Sequence, residues 1–197
     1  MQRYEIINQF IHERNYTMFL EIGTNDGATY NRVDAKIRVS VDPGQNTSAT
    51  FRMTSDEFFA QNLAKFDIVF IDGLHEHDQV YRDIQNALSA LTPGGVIILH
   101  DCLPTSEMMQ EHLMTAPSGY PWTGDVWKAF VKARASLPYE SYTINDDFGC
   151  GVIDTSMKKS SPTSRLPKDM EKMTYDQFVK HPEWMNVKEA IVRVEKE

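Results

Sequence analysis

Acidic and imidazole side chains crowd two short segments, Asp72-Gly73-Leu74-His75-Glu76-His77 and His100-Asp101. An imidazole titrates near neutral pH and can take a proton from a substrate directly. Paired carboxylates can instead share a divalent cation such as Mg2+ with water or substrate oxygens, and His75-x-His77 would add nitrogen ligands. His75, His100 and Asp101 are therefore the catalytic candidates, and Asp72 with Asp101 the cation-binding pair. Cys102 follows Asp101 but has no evident group to stabilise a thiolate, so it is not a nucleophile candidate.

A second cluster suits a nucleoside. Gly23 and Gly27, within Glu21-Ile22-Gly23-Thr24-Asn25-Asp26-Gly27, let the backbone pass close to a ligand and turn sharply into a helix. Asp42, ending the next apolar run, is placed to bond ribose hydroxyls. The three-glycine dinucleotide fingerprint is absent, which counts against NAD and FAD. No Gly-Lys-Ser/Thr ending follows either, which counts against ATP and GTP.

These residues need elements to hold them. Ile6, Ile7, Phe10 and Ile11 recur at helical spacing and predict an amphipathic helix ending near Arg14. Apolar runs at 17–22, 38–42, 66–71 and 96–99 predict buried strands, with a weaker one at 50–53. Between the last two long runs, Val80, Ile84, Ala87, Leu88 and Leu91 share one helical face. A strand, a helix and a strand in one short stretch is a crossover unit, and such units build parallel sheets. Val126, Phe130, Ala133 and Leu137 mark a later helix. Residues 139–144 and 149–153 then form a hairpin across Asn145-Asp146-Asp147. The expectation is a three-layer αβα sandwich of Rossmann-like kind, with a mostly parallel seven-stranded sheet and an antiparallel C-terminal hairpin. In such a sheet ligands bind beyond the carboxyl ends of the strands, where both clusters of chemistry fall.

Charge and composition narrow the partners. The 197 residues carry 20 Lys+Arg against 28 Asp+Glu, a net charge of −8. Residues 1–155 hold 11 basic against 21 acidic side chains, and residues 156–197 hold 9 against 7, so the acidity belongs to the first segment. No basic cluster exists to grip a phosphate backbone or an anionic membrane, which argues against nucleic acid and membrane partners. The Met1-Gln2-Arg3-Tyr4-Glu5 start lacks a signal-peptide pattern, and two distant cysteines read as free thiols, so a cytoplasmic location is expected. After residue 155 the texture turns polar, with Pro162 and Pro167 breaking any regular element. Two domains of unequal weight follow: a core over 1–155, then a linker with a short helical extension over 156–197. Within it, Tyr175–Lys180 and a segment through Val187, Ala190, Ile191 and Val194 predict two short helices flanking Pro182. Phe178, Trp184, Met185 and Ile191 need a surface to cover them: this core, its active site, or a second copy in a homodimer.

Taken together, Glu-Ile-Gly-Thr-Asn-Asp-Gly at 21–27, Val-Asp-Pro at 41–43, Ile-Asp-Gly-Leu-His at 71–75, Leu-Thr-Pro-Gly-Gly-Val-Ile at 91–97 and His-Asp at 100–101 resemble the class I S-adenosylmethionine (SAM) dependent methyltransferases. The similarity is nearest to the small-molecule and sugar O-methyltransferase group, to which segments 124–128 and 147–153 are also similar. It covers roughly residues 17–154. The resemblance implies that Glu21, Gly23, Asn25 and Gly27 surround the methionine and ribose of SAM, and that Asp42 accepts both ribose hydroxyls. It also implies that Ser55 and Asp56 contact the adenine, with Met53 or Phe58 packing beside it, and that Asp72 closes the site. Asn25 stands where the family often has glycine. His100 replaces the first of an acidic pair found in metal-dependent relatives.

A hydroxyl acceptor must lose its proton as the methyl transfers, which returns attention to the histidines or to a divalent cation. The acceptor implied is a small molecule such as a sugar or glycan precursor. Two alternatives stay open. One is a metal-dependent hydroxylase or hydrolase using Asp72, His75 and Asp101 as ligands. The other is a non-catalytic module that only binds SAM. Trp122 and Trp127 read as packing or cleft-wall aromatics, with residues 116–122 as a lid over substrate.

Overall fold

The apolar runs alternate between two faces, which makes the sheet central. In β1 (Met18–Ile22), β3 (Phe66–Ile71) and β4 (Leu91–Leu99), the side chains of Leu20, Ile22, Val69, Ile71, Ile97 and Leu99 enter one buried cluster. Phe19, Ile68, Phe70, Val96 and Ile98 enter a second cluster on the opposite face. Strands buried on both sides have no polar face to show, so they read as continuous apolar segments. A computed structural model of the chain describes residues 1–114, 117–160, 166–167 and 169–189.

Seven strands form one sheet in the order β2-β1-β3-β4-β6-β5-β7. β2 (Ile37–Val41), β1, β3 and β4 run parallel, whereas β6 (Cys150–Lys158) is antiparallel to both β4 and β5 (Tyr139–Ile144). This is the mostly parallel, Rossmann-like architecture expected, with its antiparallel hairpin. Helix α1 (Arg3–Arg14) packs Ile6, Ile7, Phe10 and Ile11 on one face and stops at Asn15, whose φ of 54° is left-handed. The opposite face is covered by α2 (Ser55–Gln61), α3 (His77–Ala90) and α4 (Val126–Ser136), through residues such as Phe58, Ile84 and Phe130. Among the described residues no helix is long and apolar enough to cross a membrane.

Two strands differ from expectation. Residues 50–53 make a single bridge, Phe51 to Val41, because Thr54 already caps α2 by accepting from the Glu57 backbone N–H. The seventh strand comes instead from the extension, where β7 (Val187–Lys188) pairs in parallel with β5. That displaces the second tail helix at Val187, and Ala190, Ile191 and Val194 lie outside the described residues.

The extension is joined to the core without a break at residue 155, since β6 continues to Lys158. Met170, Phe178 on α5 (Tyr175–Lys180), Trp184 and Met185 are buried in the same cluster as Trp127 of α4. The Trp127 ring lies 4.9 Å from Phe178 and 6.4 Å from Trp184, so this tryptophan is core. Arg134 of α4 donates to the backbone carbonyls of Ser141 and Trp184, holding β5 and the extension together.

Candidate active site

Each parallel strand ends in a residue of the site. A cavity of about 690 Å³ opens where β1, β2, β3 and β4 terminate, and every residue lining it lies within 1–101. From β1 come Glu21 and Gly23, from the β2 end Asp42, and from the start of α2 Ser55 and Asp56. The ends of β3 and β4 add Asp72, His75, His100 and Asp101. Asn25 lines the cavity too, while Gly27 does not. Gly27 shapes the turn, its N–H bonding Thr24 O at φ 80°. Neither Met53 nor Phe58 reaches the cavity; Phe58 is core.

Gly23 is dictated by close approach. A Cβ there would stand 2.1 Å from the carbonyl oxygen of Asp72, so no larger residue lets β1 and β3 end side by side. Asn25 adopts φ 47°, the left-handed conformation a glycine would take, and asparagine tolerates it better than most residues. Its backbone N–H donates to Asp42 Oδ2 at 2.7 Å, and Gly44 N–H donates to Oδ1 at 2.7 Å. Both carboxylate oxygens are thus oriented, and each keeps a lone pair for a further donor.

Two buried polar atoms at the cavity are left over. Glu21 Oε2 and Thr24 Oγ1 have no hydrogen-bond partner among the described residues. Burial, reinforced by the charge of Asp72, raises the Glu21 carboxyl to about 8. Buried polar groups normally find partners, so two left unsatisfied beside a cavity call for one inside it, a ligand or a water.

The other end of the cavity holds a network of charges. His75 lies 3.3 Å from Asp72 Oδ1 through Nε2 and 3.3 Å from Asp101 Oδ2 through Nδ1. Its ring stacks on Trp122 at 5.2 Å. Burial disfavours the His75 cation, but the two carboxylates outweigh it and its pKa rises. His100 Nδ1 lies 3.1 Å from Asp101 and 3.3 Å from Asp72, with Nε2 3.4 Å from Asp147. Burial opposes its charge as well, yet Asp101, Asp147 and Asp72 together hold it up to about 11. Arg3 Nη1, 2.8 Å from His100 Nε2, is a contact suited to a neutral ring. Three carboxylates against one guanidinium decide for the imidazolium. Asp72 is correspondingly held far below the usual carboxylate range, its hydrogen bonds to His100 and His75 overcoming burial. Asp101 has φ 61°, an unusual backbone conformation for aspartate and of the kind found at functional sites. The free, buried Cys102 has its thiol pKa pushed up by burial, as suits an inert residue.

Three participants escaped sequence reasoning. Arg3 reaches the cavity from α1, bonding Thr29 Oγ1 at 3.0 Å, while its backbone N–H donates to Asp147. Asp83 is buried on α3, lines the cavity, and accepts from Gln79 at 3.1 Å. Burial raises its carboxyl to about 6, despite offsetting hydrogen bonds from Ser55 and Gln79. Both residues sit in phase with an apolar stripe, Arg3 with Ile6, Ile7 and Phe10, and Asp83 with Val80, Ile84 and Ala87. A charge inside such a stripe was the available signal. Asp147 had none beyond its place in the hairpin turn.

Residues 24–102 match a family described as "Methyltransferase domain". The matched segment spans 79 of the 197 residues, from the loop after β1 to just past β4. The fold superposes on solved structures across most of both chains. The O-methyltransferase from Bacillus cereus in complex with SAH (S-adenosylhomocysteine) is 14% identical, with a TM-score of 0.55 over 77% of this chain and 79% of that one. TomG, an O-methyltransferase from Streptomyces achromogenes in complex with SAM, is 14% identical with a TM-score of 0.57, covering 80% of each chain. Cofactor-bound Rv0187 from MTB is 15% identical with a TM-score of 0.60, over 79% of this chain and 80% of that one. Likeness at this identity speaks for the fold of the methyltransferase domain. No curated protein sequence matches the chain.

Proposed function

We propose that the protein binds SAM in the strand-end cavity and transfers its methyl group to a hydroxyl oxygen of a small molecule, with sugars and glycan precursors the first class to test. The observation that carries this reading is the pairing of a pre-oriented Asp42 carboxylate with unpartnered Glu21 and Thr24 atoms in one 690 Å³ cavity. Asp42 would take the ribose hydroxyls, Glu21 and the 23–25 loop the methionine portion, and Ser55 and Asp56 the adenine. SAM supplies an electrophilic methyl on a sulfonium. The acceptor oxygen forms the new C–O bond as the C–S bond breaks, and the acceptor proton must leave.

His75 is the base. It lines the cavity, Asp101 and the Trp122 carbonyl hold its Nδ1–H, and Nε2 is left to take the proton, the imidazolium then being stabilised by Asp72 beside Nε2 and by Asp101. His100, already charged, acts as a fixed donor that holds Asp72 and Asp101. The Trp122 ring, stacked on His75, offers an apolar face of the kind that packs against sugar rings. A cytoplasmic site of action accords with two free thiols.

A second reading has one observation in its favour. Asp72, His75 and Asp101 each offer a ligand atom, all within 4.8 Å of one another. The mixed nitrogen and oxygen set fits a divalent cation, which would lower the pKa of an acceptor hydroxyl.

Calorimetry with SAM and SAH tests the cofactor, and a folded protein that binds neither would refute the reading. A screen of sugars, catechols and phenols for methyl transfer tests the acceptor. Turnover surviving excess chelator leaves His75 as base, and turnover lost with it in both wild type and His112→Ala assigns the step to a cation held by Asp72, His75 and Asp101.

A further inference from the structure

We propose a metal centre apart from the cavity, formed by His77, His112 and Asp125, none of which lines it, and suited to a borderline ion of the Zn2+ class. Asp125 is buried at the start of α4, and both imidazoles turn Nδ1 towards its carboxylate. His77 Nδ1 lies 2.7 Å from Oδ2, and His112 Nδ1 lies 3.1 Å from Oδ1. The three donor atoms lie within 4.8 Å of one another. A tetrahedral zinc ion with bonds of about 2.0–2.2 Å separates its ligands by about 3.3–3.5 Å, so His112 has to move out by about 0.2–0.4 Å and His77 by about 0.6–0.8 Å, its hydrogen bond to Asp125 giving way to the ion.

The outer shell points the same way. A metal-bound histidine usually turns its second nitrogen to a carboxylate, which fixes the ring and raises its basicity. His77 Nε2 lies 3.1 Å from Asp78 Oδ1, buried yet without an aligned hydrogen bond. His112 Nε2 lies 3.8 Å from Glu76 Oε2. Two imidazoles therefore face one shared carboxylate inwards and one carboxylate each outwards. Lys128 is the opposing charge, its Nζ 3.5 Å from Asp125 Oδ2, and it must swing aside when the ion enters. Asp78, Glu76 and Asp125 outnumber it. Two imidazoles select against Mg2+ and Ca2+ and favour Zn2+ or Co2+. His112 is 44% exposed and provides the way in.

Such an ion would pin the loop that carries Trp122 to the start of α3. Asp125 N–H already donates to His75 O at 3.1 Å, and a Cβ on Gly124 would stand 1.9 Å from that oxygen. Loading this centre therefore stiffens the support of His75 without touching the cavity.

The test uses the full-length, tag-free protein stripped of metal, titrated with Zn2+ against a chromophoric chelator and followed by thermal melting. The wild-type protein and Asp101→Asn are both expected to bind a Zn2+ equivalent that raises Tm. His112→Ala is expected to lose that equivalent, with Kd weakened on the order of 100-fold or more, since losing a direct ligand exceeds the 10–100-fold typical of an outer-shell partner. Co2+ in place of Zn2+ should give a tetrahedral visible spectrum in wild type and Asp101→Asn, and none in His112→Ala. No Zn2+ binding by the wild type, equal binding by His112→Ala, or loss of all binding in Asp101→Asn would each overturn the proposal.

Discussion

Replacing Glu21 with Gln separates the charge of the cavity from its shape. The Glu21 carboxyl stands at about 8, against an ordinary value of 4.5, because it is buried beside Asp72. If a cationic cofactor returns it to its ordinary value, a proton leaves on binding. Linkage then makes affinity climb with pH. At pH 6 about one unliganded molecule in a hundred carries the charged form, and at pH 9 about nine in ten, by the ordinary titration relation. The Kd for SAM should therefore fall by about 10- to 100-fold between pH 6 and pH 9, the lower figure allowing for water in the open cavity. The sign for stability is opposite. Between about pH 4.5 and 8 the unfolded chain releases this proton before the folded one, so the unliganded protein loses stability as pH rises, by a few kcal/mol at most. Calorimetry at four pH values, in buffers of different ionisation enthalpy, reads both Kd and the protons released. The amine of SAM titrates in the same range, so the wild-type to Glu21→Gln ratio is the informative quantity. Glu21→Gln should bind SAM weakly at pH 9, show little of this pH dependence, and melt higher than wild type in unliganded form at pH 9. A wild-type to variant ratio that stays flat from pH 6 to pH 9 would refute the reasoning.

Asp42→Asn removes a charged acceptor already oriented by two backbone N–H groups, and should raise the Kd for SAM by about 10- to 100-fold by calorimetry. Asn25→Gly should leave SAM binding nearly unchanged, whereas Asn25→Val forces a β-branched residue to φ 47° and should cost about 1–2 kcal/mol in denaturant unfolding. Asp83→Asn abolishes a carboxyl held at about 6. Because that pKa is raised, wild type is penalised as pH climbs from about 4 to 6, so the variant should be more stable by up to about 2–3 kcal/mol above pH 6 and lose the advantage near pH 4. Trp184→Ala should cost about 3–5 kcal/mol of stability, measured by urea unfolding, because it opens the core beside Trp127.

Most of the sheet was legible because β1, β3 and β4 are buried on both faces and must be apolar along their whole length. Their ends were legible for the same reason: the first polar residues after such runs, Asp72 and His100 among them, have to lie at the carboxyl edge. The 50–53 segment misled because it carries strand-forming residues but follows the Asp42-Pro43-Gly44 turn too closely and precedes the Thr54 cap. β7 could not be foreseen in two residues, since its pairing depends on where α5 and Trp184 bring the chain. Arg3 shows the complementary limit: its helix was plain, but the direction of its side chain depends on how α1 lies across the sheet, which periodicity does not fix. His112 likewise gains its meaning only when the loop folds back onto Asp125.

The docking of the extension on Trp127 has a consequence for the order in which the protein can be made. Synthesis runs from the N-terminus, so β1 to β6 and all the cavity residues emerge before Phe178, Trp184 and β7. Until those last segments arrive, the α4 face around Trp127 is bare and β5 is an open edge, the two surfaces most prone to mispairing with a neighbouring nascent chain. A ribosome stalled near residue 160 would hold a chain with every cavity-lining side chain and an unfinished core.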